Sequence, residues 1–340
     1  MSPLFFLSKS FSFKMENEVK TMSEKRLTIF GICSFISFVI LKVSFDIIDS
    51  LQYVQMLLVF AYGVLIPLGL QFAHTRRTKL YLSVLNLHPI ALLLAIGSFF
   101  VTPGILSTIL SLPWFLFTAL ISLYGLWSFF YHKIWTRLHE TVIHAGMIYI
   151  VIGGGWLVLH RTGSSILHFD GIIILLTSIH FHYAAFVTLI AFGVIGREMH
   201  FSNKGIKSLF QLLSIFLLVG PIFVAVGITF GADYPWIEFV AVTEFVVPIA
   251  ILSLLTLLFF VPTLPKALSK ILITIACLSL FVSMTFAFLY GYEGIGSLQF
   301  LLNIPLMVFV HGMVNAFGFS LCMFSGLYIY LYQDSPHSTV

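Results

Sequence analysis

The sequence predicts an all-α protein: a polytopic bundle of about ten transmembrane helices with both termini in the cytoplasm. Three observations predict it. Of 340 residues, 59% are apolar and only 9% are charged, against about 25% charged in an ordinary soluble protein. Ten apolar runs reach the roughly 20 residues that one helical crossing needs. The basic residues then fall on alternate connections, as orientation in a bilayer requires. This composition excludes a soluble globular enzyme, a disordered chain and a fibrous one. The loops and tails are too short in any one place for a soluble domain.

The runs lie near 27–45, 52–73, 80–101, 105–127, 141–160, 171–194, 208–230, 237–261, 271–291 and 305–331. Lys25 and Arg26 precede the first. Arg76, Arg77 and Lys79 follow the second, and Lys133 and Arg137 the fourth. Arg197, Lys204 and Lys207 follow the sixth, and Lys266 and Lys270 the eighth. All of these share one side if every run spans, and the positive-inside rule makes that side cytoplasmic. The other side receives only Lys42 and Arg161, with Asp46, Asp49, Asp170, Asp233, Glu238 and Glu293. A miscounted span would scramble this alternation. Residues 1–26 read as a cytoplasmic tail or a start-site artefact, since Met15 and Met22 are alternative starts. Residues 27–332 form the membrane domain and 333–340 a second cytoplasmic tail. The link from Glu293 to Asn303 fits a short re-entrant or interfacial piece. No motif recurs in register, so no inverted repeat is expected.

Cys33, Cys277 and Cys322 all sit in apolar runs without CxxC spacing. They read as small apolar residues rather than a disulfide or cluster framework. The lipid bilayer is the expected partner, and a nucleic-acid partner is not, because no basic patch is interleaved with stacking aromatics.

Polar side chains at membrane depth are costly unless satisfied, so function is sought among them. The sixth run carries Ser178, His180, His182 and Tyr183 near its middle. Residues two apart point about 200° apart on a helix, so the two imidazoles share a face only if the helix bulges. Ser178 lies one turn before His182 and is placed to hydrogen-bond it. In the tenth run His311 and Asn315 are four apart and share a face. Glu244 is the carboxylate deep in the eighth run; the histidines are its expected partners by depth, and Pro248 cannot bond its carbonyl. Gly153-Gly154-Gly155 and Gly220-Pro221 mark helix irregularity compatible with a cavity.

Secondary candidates are His88, beside Pro89, and Asp233 and Glu238 on an outer lip with aromatic anchors. Glu140 and His144 share a face and are placed to pair. His139-Glu140-Thr141-Val142-Ile143-His144 has one residue too many for HExxH, so its histidines cannot grip one metal as that motif does. His132, His139 and His200 read as loop residues, and His160 and His168 as solvated residues bracketing an outer loop. A P-loop, GxSxG, a dinucleotide fingerprint and paired DxxxD are all missing.

Ile179-His180-Phe181-His182-Tyr183-Ala184-Ala185-Phe186, with His311-Gly312-Met313-Val314-Asn315-Ala316-Phe317-Gly318, resembles the YndJ-like family of bacterial membrane proteins. The resemblance implies a multi-pass protein of the bacterial cytoplasmic membrane with His180, His182, His311 and Asn315 as signature residues. Family members are sometimes labelled transporters, without a defined substrate. Some carry an extra soluble domain, for which this chain has no room. The resemblance implies no established chemistry.

Three functions remain open. A transporter, proton-coupled or not, would use Glu244 with His180, His182 and His311 as a protonatable site near the midplane. A membrane-embedded enzyme would isomerise, cyclise or hydrolyse a lipid or isoprenoid, with Tyr183 and Asn315 as hydrogen-bond donors. Its metal variant would use His180, His182 and His311 as ligands, although no cofactor is required by the residues. A non-catalytic scaffold would use the histidines as glue between helices. The substrate stays undefined.

Overall fold

The computed structural model describes residues 23–45, 48–73, 77–164, 169, 171–231, 233–293, 300–301 and 304–332. Among them are ten helices long and apolar enough to cross a membrane. They are Glu24–Ser44, Ser50–Ala73, Lys79–Ser98, Ile105–Tyr131, Leu138–Thr162, Gly171–Glu198, Lys204–Phe230, Pro235–Thr263, Ala267–Leu289 and Val308–Tyr332, and they are numbered here as the first to tenth spans. Each coincides with a predicted run to within a few residues. Residues 24–26 already belong to the first helix, whereas residues 1–22 of the first proposed tail, the whole second tail and most of the Glu293–Asn303 link lie outside the described residues. So do Asp46, Arg76, His168 and Asp170. Before the tenth span, Phe300–Leu301 pairs antiparallel with Ile304–Pro305.

The second span is almost wholly buried and the sixth mostly so, and the other helices pack around them. Two glycines admit the first span against the second. A Cβ on Gly63 would lie 2.8 Å from the Cα of Gly31, so the two backbones cross with no side chain between them. Close small-residue crossings of this kind supply packing where lipid offers no hydrophobic drive.

The ends of the bundle are tied by capped carbonyls. A helix leaves its last carbonyls without intrahelical donors. At the C-terminal end of the second span three successive carbonyls are bonded from three other spans. Tyr81 donates to Leu70 (3.3 Å), Tyr332 to Gln71 (2.9 Å) and Arg197 to Phe72 (3.4 Å). At the end of the third span, Lys42 donates to the carbonyl of Phe99 (3.2 Å) and Arg161 to that of Val101. These are the two cations that the charge pattern leaves on the outer side. Both are buried, and both sit where a helix C-terminus is partially negative.

Four spans contain a π-helical stretch: Ala61–Leu65 in the second, Phe181–Val187 in the sixth, Thr256–Phe260 in the eighth and Val314–Leu321 in the tenth. Single π turns shift side-chain register and free a carbonyl, and they gather at functional sites. Those of the second, sixth and tenth spans pack against one another.

Candidate functional site

The three touching π-helical stretches form the frame of the site. In the second span the π register sends the Ile66 N–H to the carbonyl of Ala61. Residue 67 is proline and has no N–H. The carbonyl of Tyr62 is therefore left over, and Nε2 of His88 donates to it across 2.9 Å. His88 is fully buried, and its Nδ1 has no partner among the described residues.

The sixth span bulges at Phe181–Val187, yet its two histidines still face apart. His182 is fully buried. Its Nδ1 donates to the carbonyl of Ser178 (2.8 Å), and its Nε2 accepts from the Trp114 indole (3.2 Å). The Tyr62 ring stacks on Trp114 at 3.9 Å and tilts against His182 at 4.8 Å. Ser178 serves His182 through its backbone, because its hydroxyl donates to the carbonyl of Gly153 (2.8 Å). A Cβ on Gly153 would lie 2.7 Å from Nδ1 of His182. The triple glycine thus corrects the cavity expectation. Gly153 makes room for the imidazole, and Gly154 makes room for Thr118. Gly220 likewise receives the ring of Phe245. These small residues serve close packing.

His180 bonds the carbonyl of Leu176 through Nδ1 at 2.6 Å. Its Nε2 makes no hydrogen bond among the described residues. The ring borders a crevice shared with Thr177, Phe181 and Ala184 of its own span and Pro221 and Val224 of the seventh. The crevice has room for about one water molecule. Pro221 cannot donate within its helix, and the Tyr149 hydroxyl bonds the nearby carbonyl of Leu218 at 3.1 Å.

Tyr183 donates to the carbonyl of Leu57 (2.7 Å), joining the sixth span to the second. Tyr53 donates to the carbonyl of Phe309 (2.7 Å), joining the second to the tenth. In the tenth span the Asn315 amide donates to Nε2 of His311 (3.0 Å). Nδ1 of His311 is then the donor, 3.0 Å from the hydroxyl and 3.1 Å from the carbonyl of Ser283.

Tyr183 and Asn315 therefore lie within the π stretches of the sixth and tenth spans, with His180 and His311 just before them. His182, within the sixth-span π stretch, packs against Tyr62 of the second-span stretch and against the fourth and fifth spans. Glu244 is not paired with any histidine: neither of its buried oxygens has a hydrogen-bond partner among the described residues. The described residues also contain no group of three or more His, Cys, Asp or Glu able to hold a metal ion. Protein partners occupy both nitrogens of His182 and of His311, so the three-histidine ligand set is not assembled.

The secondary candidates go elsewhere. Glu140 does not meet the His144 ring, which bonds the Glu140 carbonyl (2.8 Å) and the Ser128 hydroxyl (3.1 Å). The Glu140 carboxylate faces Arg197 at 3.7 Å and His139 at 3.8 Å instead. His160 is buried rather than solvated. Asp233 is exposed beside the exposed Tyr234 and Trp236, and Glu238 abuts Gly231. Trp114, Tyr62, Tyr53 and Ser283 were not singled out from the sequence. Aromatics and hydroxyls are common in spans, and only the fold shows which of them face a histidine.

Fold and site define a multi-pass α-helical membrane protein with a polar centre built on helix irregularities. The chain belongs to the YndJ-like family, whose model, described as YndJ-like protein, matches residues 56–319. The match holds both stretches on which the resemblance was drawn. The chain is also similar to the uncharacterized membrane protein YndJ of Bacillus subtilis (strain 168). The two are 30% identical over 208 residues, which is 61% of this chain and 36% of the relative. The chain thus spans little more than a third of the length of that relative. No solved structure matches it.

Proposed function

We propose that this protein is a transporter of a small molecule, with its path through the contact of the second, sixth and tenth spans. One observation carries the reading: three π-helical stretches meet at membrane depth, flanked by His180, Tyr183, His311 and Asn315. Irregular backbone in a bilayer is costly unless protein or a cavity satisfies it. A scaffold has no use for three such stretches at one place. A transporter does, because a π turn lets a helix change register by one residue while its hydrogen bonds re-form. The side-chain bonds to the carbonyls of Leu57 and Phe309 join the same three spans and can be exchanged one at a time. The described arrangement is a closed one, with His180 at its edge.

The test is solute-evoked current on proteoliposomes. Amino acids, sugars, nucleosides and inorganic cations are applied in turn with and without a proton gradient. A current for one class, lost in His180→Ala with an unchanged thermal midpoint, is expected. Silence for every class, together with conversion of a phospholipid or isoprenoid by the purified protein, replaces the transporter by an enzyme.

A further inference from the structure

Glu244 lies on a different set of helices from the polar centre. The eighth span packs mainly between the seventh and the ninth. Phe245 fills the space at Gly220 on one side, and Val247 and Ala250 face Met284 and Thr285 on the other. The level of Glu244 is therefore near residues 220–224 of the seventh span and 283–285 of the ninth.

Among the described residues, no cation pairs with it there. The basic residues of the seventh span are Lys204 and Lys207, and that of the ninth is Lys270. Each lies roughly 20 Å along its helix from the level of Glu244, at 1.5 Å per residue. The other titratable groups on these helices are Cys277, Glu238 on its own span, and Tyr290, Tyr292 and Glu293 at the outer end of the ninth. None supplies a positive charge. His311 reaches the ninth span at Ser283, but both its nitrogens are bound. His180 reaches the seventh span at Pro221 and does not bond Glu244. Both carboxylate oxygens are buried without a hydrogen-bond partner among the described residues, as is the hydroxyl of the adjacent Thr243. An ionised carboxylate so placed would cost several kcal/mol.

We propose that Glu244 is a proton-binding site separate from the polar centre. In the described arrangement the carboxyl holds the proton, and its release requires a conformation that brings water or a cation to the seventh, eighth and ninth spans. Its role as the coupling site rests on the transport reading. The bound proton does not.

The test is dicyclohexylcarbodiimide on the full-length protein in proteoliposomes, followed by peptide mass mapping. A carbodiimide nitrogen takes the carboxyl proton and the carboxylate oxygen bonds the carbodiimide carbon. In the resulting O-acylisourea the acyl carbon then breaks its bond to that oxygen and bonds a nitrogen, giving a stable N-acylurea. We expect one adduct at Glu244, severalfold slower at alkaline pH, lost in Glu244→Gln and kept in His180→Ala. Glu244→Gln mimics the neutral acid and should keep its thermal midpoint. No adduct at Glu244 in folded protein overturns the proposal, as does protection by sodium at constant pH, which would make the ligand a metal cation. Labelling without any solute-evoked current sinks the transport reading alone. Currents without labelling sink this proposal alone.

Discussion

His88 of the third span and Tyr62 of the second are joined by a hydrogen bond to a backbone carbonyl, 2.9 Å long, that Pro67 leaves free. The proline, the π stretch and the histidine form one unit. The helix bulges, the proline cannot close the ladder, and a side chain from a neighbour does so.

Replacing that side chain should therefore cost more than its volume. His88→Leu keeps most of the packing and loses the bond, for about 1–2 kcal/mol. His88→Ala adds a cavity, for about 2–4 kcal/mol in all. Thermal midpoints in one detergent should fall in that order, and equal midpoints for His88→Leu and wild type would contradict the bond.

Adjacent glycines give a matched comparison. A Cβ on Gly153 meets His182 at 2.7 Å, while one on Gly155 meets only Phe115 at 3.8 Å. Gly153→Ala should lose about 1–3 kcal/mol through overpacking, and Gly155→Ala should be nearly neutral. Folded yield by size-exclusion chromatography separates them.

The ion pairs of Glu24 and Glu140 differ in worth. Glu24 is buried, 2.8 Å from Arg77 and 2.9 Å from the Tyr81 hydroxyl. Arg77 is half exposed, so water can take its charge when the partner goes. Glu24→Gln should cost about 1–2 kcal/mol. Glu140→Gln, with pairs no closer than 3.7 Å, should cost less. Midpoints that rank the other way would argue against the Glu24 lock.

Orientation is checked by cysteine labelling after Cys33, Cys277 and Cys322 are replaced. Trp236→Cys should react with a membrane-impermeant maleimide in intact cells. Trp135→Cys should react only after lysis. The reverse pattern would invert the topology read from the basic residues.

Much of the site could be read along the chain, but its connections could not. His311 and Asn315 were expected on one face because four residues make about one helical turn, and they bond at 3.0 Å. His180 and His182 were expected to diverge by the same arithmetic, and they do despite the bulge. The pairing of Glu244 with a histidine was read from depth alone. Depth says nothing about which side of a helix faces which neighbour, and the eighth span that carries Glu244 packs mainly against the seventh and ninth. The pairing of Glu140 with His144 failed for another reason. A histidine near the start of a helix has the carbonyl four residues back within reach, which leaves the carboxylate for Arg197.

The number and bounds of the spans were written in the residues themselves, because bilayer thickness converts directly into a length of apolar helix. The same holds for the presence of costly polar groups at depth. Which helix sits at the centre, where π stretches replace α turns, and which carbonyl each tyrosine or histidine reaches were decided by tertiary structure. Those contacts depend on helix rotation and packing, and in lipid no burial of apolar surface fixes either one.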